Sequence, residues 1–135
     1  MSGPELALAA LAVAALAGLS WHRRQGRLSA TGTAALPAAV RARLDDAAAV
    51  TLLQLTTPIC ARCPQARTLL TELAAVLPGV RHTELDLTVH PELVEELGVR
   101  ATPTTLAVSP TGHELFRVTG VPQRTELLSA LQAHL

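Results

Sequence analysis

Apolar positions along the chain fall into two regimes. From Leu6 to Leu19 they form an unbroken run of Leu, Ala, Val and Gly with Ser following, and beyond residue 36 they recur with the periods of strands and helices. The run predicts one helix that is apolar all round. From Leu6 to Trp21 it would reach roughly 24 Å at 1.5 Å per residue, short of the ~30 Å hydrocarbon core of a bilayer. A thin bilayer, snorkelling of Arg23 and Arg24, and Trp21 as an interfacial anchor would make up the difference. A single membrane span over residues 6–21 is the favoured reading. The rivals are a cleaved signal peptide with Ala15-Leu16-Ala17 as the small-residue site, and a buried apolar helix. Residues 1–5 carry no Lys or Arg, which a signal peptide would want, and a small domain has little room to bury such a helix.

After the run the pattern predicts an alternation of elements. Gly26 to Ala35 reads as a linker or a poorly patterned first strand. Leu36 to Ala49 reads as a helix with Pro37 in its first turn and Val40, Leu44 and Ala47 on one stripe. Val50 to Thr56 is a buried strand ended by Thr57-Pro58. A helix should then run to Leu77, with Ala66, Leu69, Leu70, Leu73, Val76 and Leu77 facing the core, until Pro78-Gly79 stops it. Val80 to Leu87 is a strand and Pro91 to Leu97 a short helix. Thr104 to Val108 and His113 to Thr119 form a hairpin about Ser109-Pro110-Thr111-Gly112. Pro122 to Leu135 is a closing helix with Leu127, Leu128, Leu131 and Leu135 inward. The early alternation implies parallel pairing and the hairpin antiparallel edges, hence an α/β fold with a mixed sheet. The implied division is a transmembrane anchor over 1–22, a linker over 23–35 and a domain over 36–135.

Composition narrows the function classes. The 135 residues hold one Trp, one Phe and no Tyr, and the formal net charge is zero. Nucleic-acid binding is disfavoured, because it wants a basic face or stacking aromatics. Two Cys, three apart, do not make a disulfide scaffold. Their expected value is chemical. A Cys-x-x-Cys placed where a strand turns into a helix puts the first Cys at a helix N-terminus, where unpaired N–H groups favour the thiolate. Cys60 is then the expected nucleophile on a substrate disulfide, and Cys63 the thiol that resolves the mixed disulfide. Arg62 adds a positive charge beside them, and Pro64 suits an early helical position. The five His are scattered in the sequence, and none adjoins the pair.

Here the chain resembles the thioredoxin family, over about 100 residues from near Leu36 to Leu135. Two motifs carry the resemblance: Cys60-Ala61-Arg62-Cys63 after a buried strand, and Gly98-Val99-Arg100-Ala101-Thr102-Pro103-Thr104 about 40 residues later. Gly120 after the hairpin also fits. Within the family the chain looks most like membrane-anchored thioredoxins of actinobacterial type. The resemblance implies a thioredoxin-like fold, a redox disulfide Cys60–Cys63, a cis Pro103 facing that pair, and Thr102 offering its backbone to a substrate strand. Ala61, Arg62, Thr102 and Pro103 would shape the substrate groove. Disulfide-containing proteins would be the substrates and a thioredoxin reductase-like protein the electron donor, with no bound cofactor and no metal. The chain departs from the family at Ile59, where Trp is usual, at Ala61-Arg62, where Gly-Pro is common, and at Gln54, where many thioredoxins bury an Asp.

The expected activity is therefore protein-disulfide reduction. The main alternative is metal binding, with two Cys pairs bridged in a dimer as in a metallochaperone. A further rival is an adaptor that binds without turnover. Arg23, Arg24 and Arg27 follow the apolar run, so the positive-inside rule places the domain on the cytoplasmic side of a cell membrane, with the extracytoplasmic side as the alternative.

Overall fold

The computed structural model describes residues 2–24, 26–30 and 35–135. Helix α1 spans Gly3–Arg24, longer than the apolar run at both ends. Its 22 residues are long and apolar enough to cross a membrane. At 1.5 Å per residue it measures about 33 Å, the length beyond residues 6–21 coming from Gly3, Pro4 and Glu5 at one end and His22, Arg23 and Arg24 at the other. None of its residues is buried, which overturns the buried-helix reading.

Strand β1 (Leu28–Ala30) follows. Within the residues 23–35 read as a linker, this piece pairs antiparallel with a later strand, Leu28 opposite Val118 and Ala30 opposite Phe116. Residues 31–34 of that linker lie outside the described residues. The helix expected from Leu36 to Ala49 is reduced to α2 (Ala38–Arg41). Beyond it, the Asp45 carboxylate accepts from the Ala47 N–H at 2.9 Å, and the Asp45 N–H donates to Thr51 Oγ1. Such short-range side-chain bonds compete with helical ones and turn the chain into β2.

Strand β2 (Val50–Thr56) is the centre of the sheet and is buried through residue 55. It leads into helix α3 (Cys63–Val76), strand β3 (Val80–Asp86), helix α4 (Glu92–Glu96), strands β4 (Thr104–Val108) and β5 (Glu114–Thr119), and helix α5 (Arg124–Gln132). The sheet order is β1-β5-β4-β2-β3. β2 and β3 run parallel, and every other neighbouring pair is antiparallel. The mixed α/β sheet expected from the sequence is present.

Each face of the sheet has its own core. Leu53, Leu55, Leu85, Leu106 and Val108 pack against Val40, Leu93 and Leu97 on the α2–α4 side. Val50, Leu52, Ala107 and Val118 pack against Leu70, Leu73, Leu127 and Leu131 on the α3–α5 side. A strand between two helical layers buries both faces, which is why β2 reads as a continuous apolar run. Two positions expected inward lie outward: Val76 is 69% and Leu135 50% exposed, both at or beyond helix ends. The open edge is β3, where Arg43 reaches across to donate to the Glu84 carbonyl at 2.9 Å.

Candidate active site

The C-terminal end of β2 and the loop before β4 meet because the two strands are paired, Leu55 opposite Thr104. Thr57-Pro58-Ile59 carries the chain out of β2, and the Cys60 N–H donates to the Thr57 carbonyl. Cys60 and Cys63 are disulfide-bonded, with Cα atoms 5.4 Å apart. Their surroundings differ. Cys60 is half-buried, whereas Cys63 is 1% exposed among the core residues of α3. The helix starts at Cys63 rather than at Cys60, with Arg62 as its N-cap and Pro64 in its first turn. Cys60 therefore stands three residues ahead of the helix, and the bond to Cys63 is what brings its sulfur to the helix start.

The Thr102–Pro103 peptide is cis, as the resemblance implies. Pro103 is buried and its carbonyl accepts from the Gly120 N–H at 2.7 Å, which ties the loop to the end of β5. Ala61 and Arg62 are exposed and Thr102 is half-buried. Thr102 lines a shallow groove of ≈ 250 Å³ whose walls include Thr57, Leu87, Val94 and Val99. Val94 and Val99 were not assigned to the groove from the sequence, although Val99 stands in the Gly98–Thr104 motif. Their signal was present, as one Val within the short α4 and one just after it, both ahead of Thr102. Ile59, beside Cys60, is 93% exposed.

Below the pair, the sequence reading needs a correction. His82 is not remote from the cysteines. Gln54, fully buried, donates from Nε2 to the Cys63 carbonyl at 3.0 Å. Its Oε1 lies 3.1 Å from His82 Nε2, and His82 Nδ1 lies 3.2 Å from Thr71 Oγ1 on α3. The amide orientation is set by its carbonyl acceptor, so Oε1 must accept from an Nε2–H. At Nδ1 the neutral His82 then accepts a hydrogen bond from the Thr71 hydroxyl. Burial pushes the His82 pKa below its usual value. Glu84 pulls it upward and Arg67 downward, the two forming an ion pair beside it. An amide thus occupies the place of a buried acid.

Among the described residues, no group of three or more His, Cys, Asp and Glu side chains is placed to hold a metal ion. The two thiols are joined to each other, and the metal-binding alternative is not favoured.

Comparison with known proteins agrees with this geometry. A family model described as Thioredoxin matches residues 35–133. No curated protein sequence matches significantly. Among solved structures, the chain is similar to a thioredoxin from Nicotiana alata at 24% identity and TM-score 0.55, over 63% of this chain and 72% of that one. Fasciola hepatica thioredoxin is similar at 21% identity and TM-score 0.57, over 67% and 85%. A mutant thioredoxin from Halobacterium salinarum is similar at 20% identity and TM-score 0.58, over 64% and 75%. At these identities the structures speak for the fold, and the family match speaks for the lineage. With the redox pair formed and the cis proline in place, the chain belongs to the thioredoxin family and is a thiol–disulfide oxidoreductase.

Proposed function

We propose that the protein is a membrane-anchored protein-disulfide reductase. The observation that carries this is the contrast within the pair, one sulfur-bearing residue half-exposed and its partner sealed in the core. In the reduced form the Cys60 thiolate attacks a substrate disulfide and expels one substrate thiolate. Cys63, shielded from outside partners, attacks the Cys60 sulfur, releases the second substrate thiolate and closes the Cys60–Cys63 disulfide. Two electrons pass from the pair to the substrate, and a dithiol donor of the thioredoxin reductase type restores the thiols. Ala61, Arg62, Thr102 and Pro103 border the groove that receives the substrate chain.

The membrane reading rests on α1. Arg23, Arg24 and Arg27 follow its apolar stretch, so the domain faces the cytoplasm as a single-pass protein. The test is a pair of variants. Cys63→Ser should accumulate a mixed disulfide on Cys60, and Cys60→Ser should trap nothing and lose activity. Disulfide reduction surviving in Cys60→Ser would overturn the assignment. A reduction potential for the pair near about −270 mV fits a reductant, and one near about −120 mV would reverse the direction. Labelling of a Cys63→Ser chain by an impermeant thiol reagent on intact cells would overturn the inward orientation.

A further inference from the structure

The membrane helix and the redox end of the domain are joined by a very short path. α1 ends at Arg24, and Gly26 lies two residues on, so their Cα atoms are at most about 7.6 Å apart. Gly26 is buried and fixed: its N–H donates to the Thr119 carbonyl at 2.6 Å. Its φ is +75°, and a Cβ there would lie 2.8 Å from the Val121 carbonyl oxygen, so the chain passes against the end of β5 where a side chain would not fit. One residue from that anchor, Gly120 bonds the carbonyl of the cis Pro103. The helix exit and the Pro103 loop therefore share one corner of the fold.

Two cavities flank that corner. One of ≈ 480 Å³ is lined by Arg23, Arg27 and the motif's own Arg62, with Glu126 as a counter-charge. The other, of ≈ 240 Å³, brings Trp21 and Arg24 beside Arg100 and Ala101, just ahead of Thr102. Trp21 and Arg23 are the residues that an anchored α1 would seat at the headgroup level. Arg62, between the two cysteines, lies at that same level, and three guanidinium groups facing one carboxylate suit a surface of lipid phosphates.

The geometry points to a redox face held against the bilayer surface, whose substrates are disulfides borne by membrane proteins close to the headgroups. This deepens the proposed function and rests on its anchor reading. The chemistry is unchanged: the Cys60 thiolate opens the membrane-borne disulfide, Cys63 closes the ring, and two electrons pass to the substrate. What the short connection adds is effective concentration, because enzyme and substrate are confined to one plane with little slack between them.

The test compares the full chain with a variant carrying a Gly-Ser spacer inserted after Gln25. Both are placed in vesicles of phosphatidylcholine with phosphatidylglycerol, pre-reduced and followed for a single turnover. Two substrates are used, a peptide disulfide linked by a short tether to a phospholipid and a soluble protein disulfide such as insulin. The expected result is that the ratio of lipid-linked to soluble rates falls about tenfold on spacer insertion, because the soluble substrate gains access as the anchored one loses it. Flotation of both chains with the vesicles and an unchanged ratio would overturn this inference and leave the anchor reading standing. Failure of the unmodified chain to float would overturn the anchor reading and this inference with it. Flotation with no exchange on either substrate would overturn the proposed activity.

Discussion

Gln54 and His82, 28 residues apart in the chain, meet side chain to side chain one hydrogen bond away from the Cys63 carbonyl. Their contact sits on the α3 face of the sheet, where β2 and β3 run side by side with Leu52 opposite His82. It gives the redox helix a neutral, donor-bearing support in place of an acid.

That support responds to pH through the imidazole. Burial lowers the His82 pKa in the folded state, against an ordinary value of 6.5. Glu84 and Arg67, paired beside it, push in opposite directions, and Thr71 and Gln54 are uncharged. In the window between the folded pKa and 6.5 the unfolded chain binds more protons, so stability is full above 6.5 and is lost as pH falls through that window. Urea midpoints of the oxidised protein should fall on going from pH 7.5 to pH 5. In His82→Asn that fall should be smaller, and an unaltered pH profile would refute the assignment.

Gln54→Glu tests the same contact from the other side. A carboxylate does not donate to the Cys63 carbonyl, and it places a charge where none is buried now. A destabilisation of about 3 kcal/mol is expected in denaturant unfolding. The new anion should also raise the His82 pKa, read from the imidazole resonances in an NMR titration. A His82 midpoint that does not move would show that the two side chains are not in contact.

The contrast between β2 and this contact shows what the sequence made legible. Val50-Thr-Leu-Leu-Gln-Leu-Thr announces a strand covered on both faces, and Cys60-x-x-Cys63 with Pro103 announces the redox end, because each signal is local. His82 is not local to anything it touches. Its role depends on the register of two parallel strands joined by a whole helix, and a shift of one residue would have turned it to the α4 face. β1 was legible only as an alternative to a linker: three residues are too few to show alternation, and its pairing is set by the fixed Gly26 and by β5. The helix expected over Leu36–Ala49 failed because Asp45 satisfies nearby backbone groups itself.

Thr105, opposite Gln54 on β4, offers a stabilising substitution. Among the described residues its hydroxyl is the buried side-chain polar atom without a hydrogen-bond partner. Thr105→Val keeps the shape and removes the desolvated group, and should raise stability by about 1–2 kcal/mol in urea unfolding. A loss of stability would mean that the hydroxyl is bonded in solution.

Gly26→Ala should cost about 1–3 kcal/mol, since the added Cβ meets a backbone carbonyl at a positive φ. Chemical denaturation would read this directly. Retention of full stability would show that the segment after α1 is not fixed to β5.

Ile59 is nearly fully exposed beside Cys60, so its replacement tests recognition without disturbing the core. Ile59→Ser should leave the unfolding midpoint within about 0.5 kcal/mol. It should lower kcat/KM on a peptide disulfide about fivefold, the loss of about 1 kcal/mol of apolar contact with substrate. An equal kcat/KM would remove Ile59 from the recognition surface.

The guanidinium of Arg43 laid across the Glu84 carbonyl has a consequence for how the molecule behaves in company. β3 is the border of the sheet opposite β1, and a bare border invites a stray strand from another copy to zip onto it. Here one of its acceptors is already engaged, and Arg81, His82 and Glu84 along the same strand are poorly suited to a dry strand-to-strand seam. Copies crowded together would slide past one another at this border instead of polymerising.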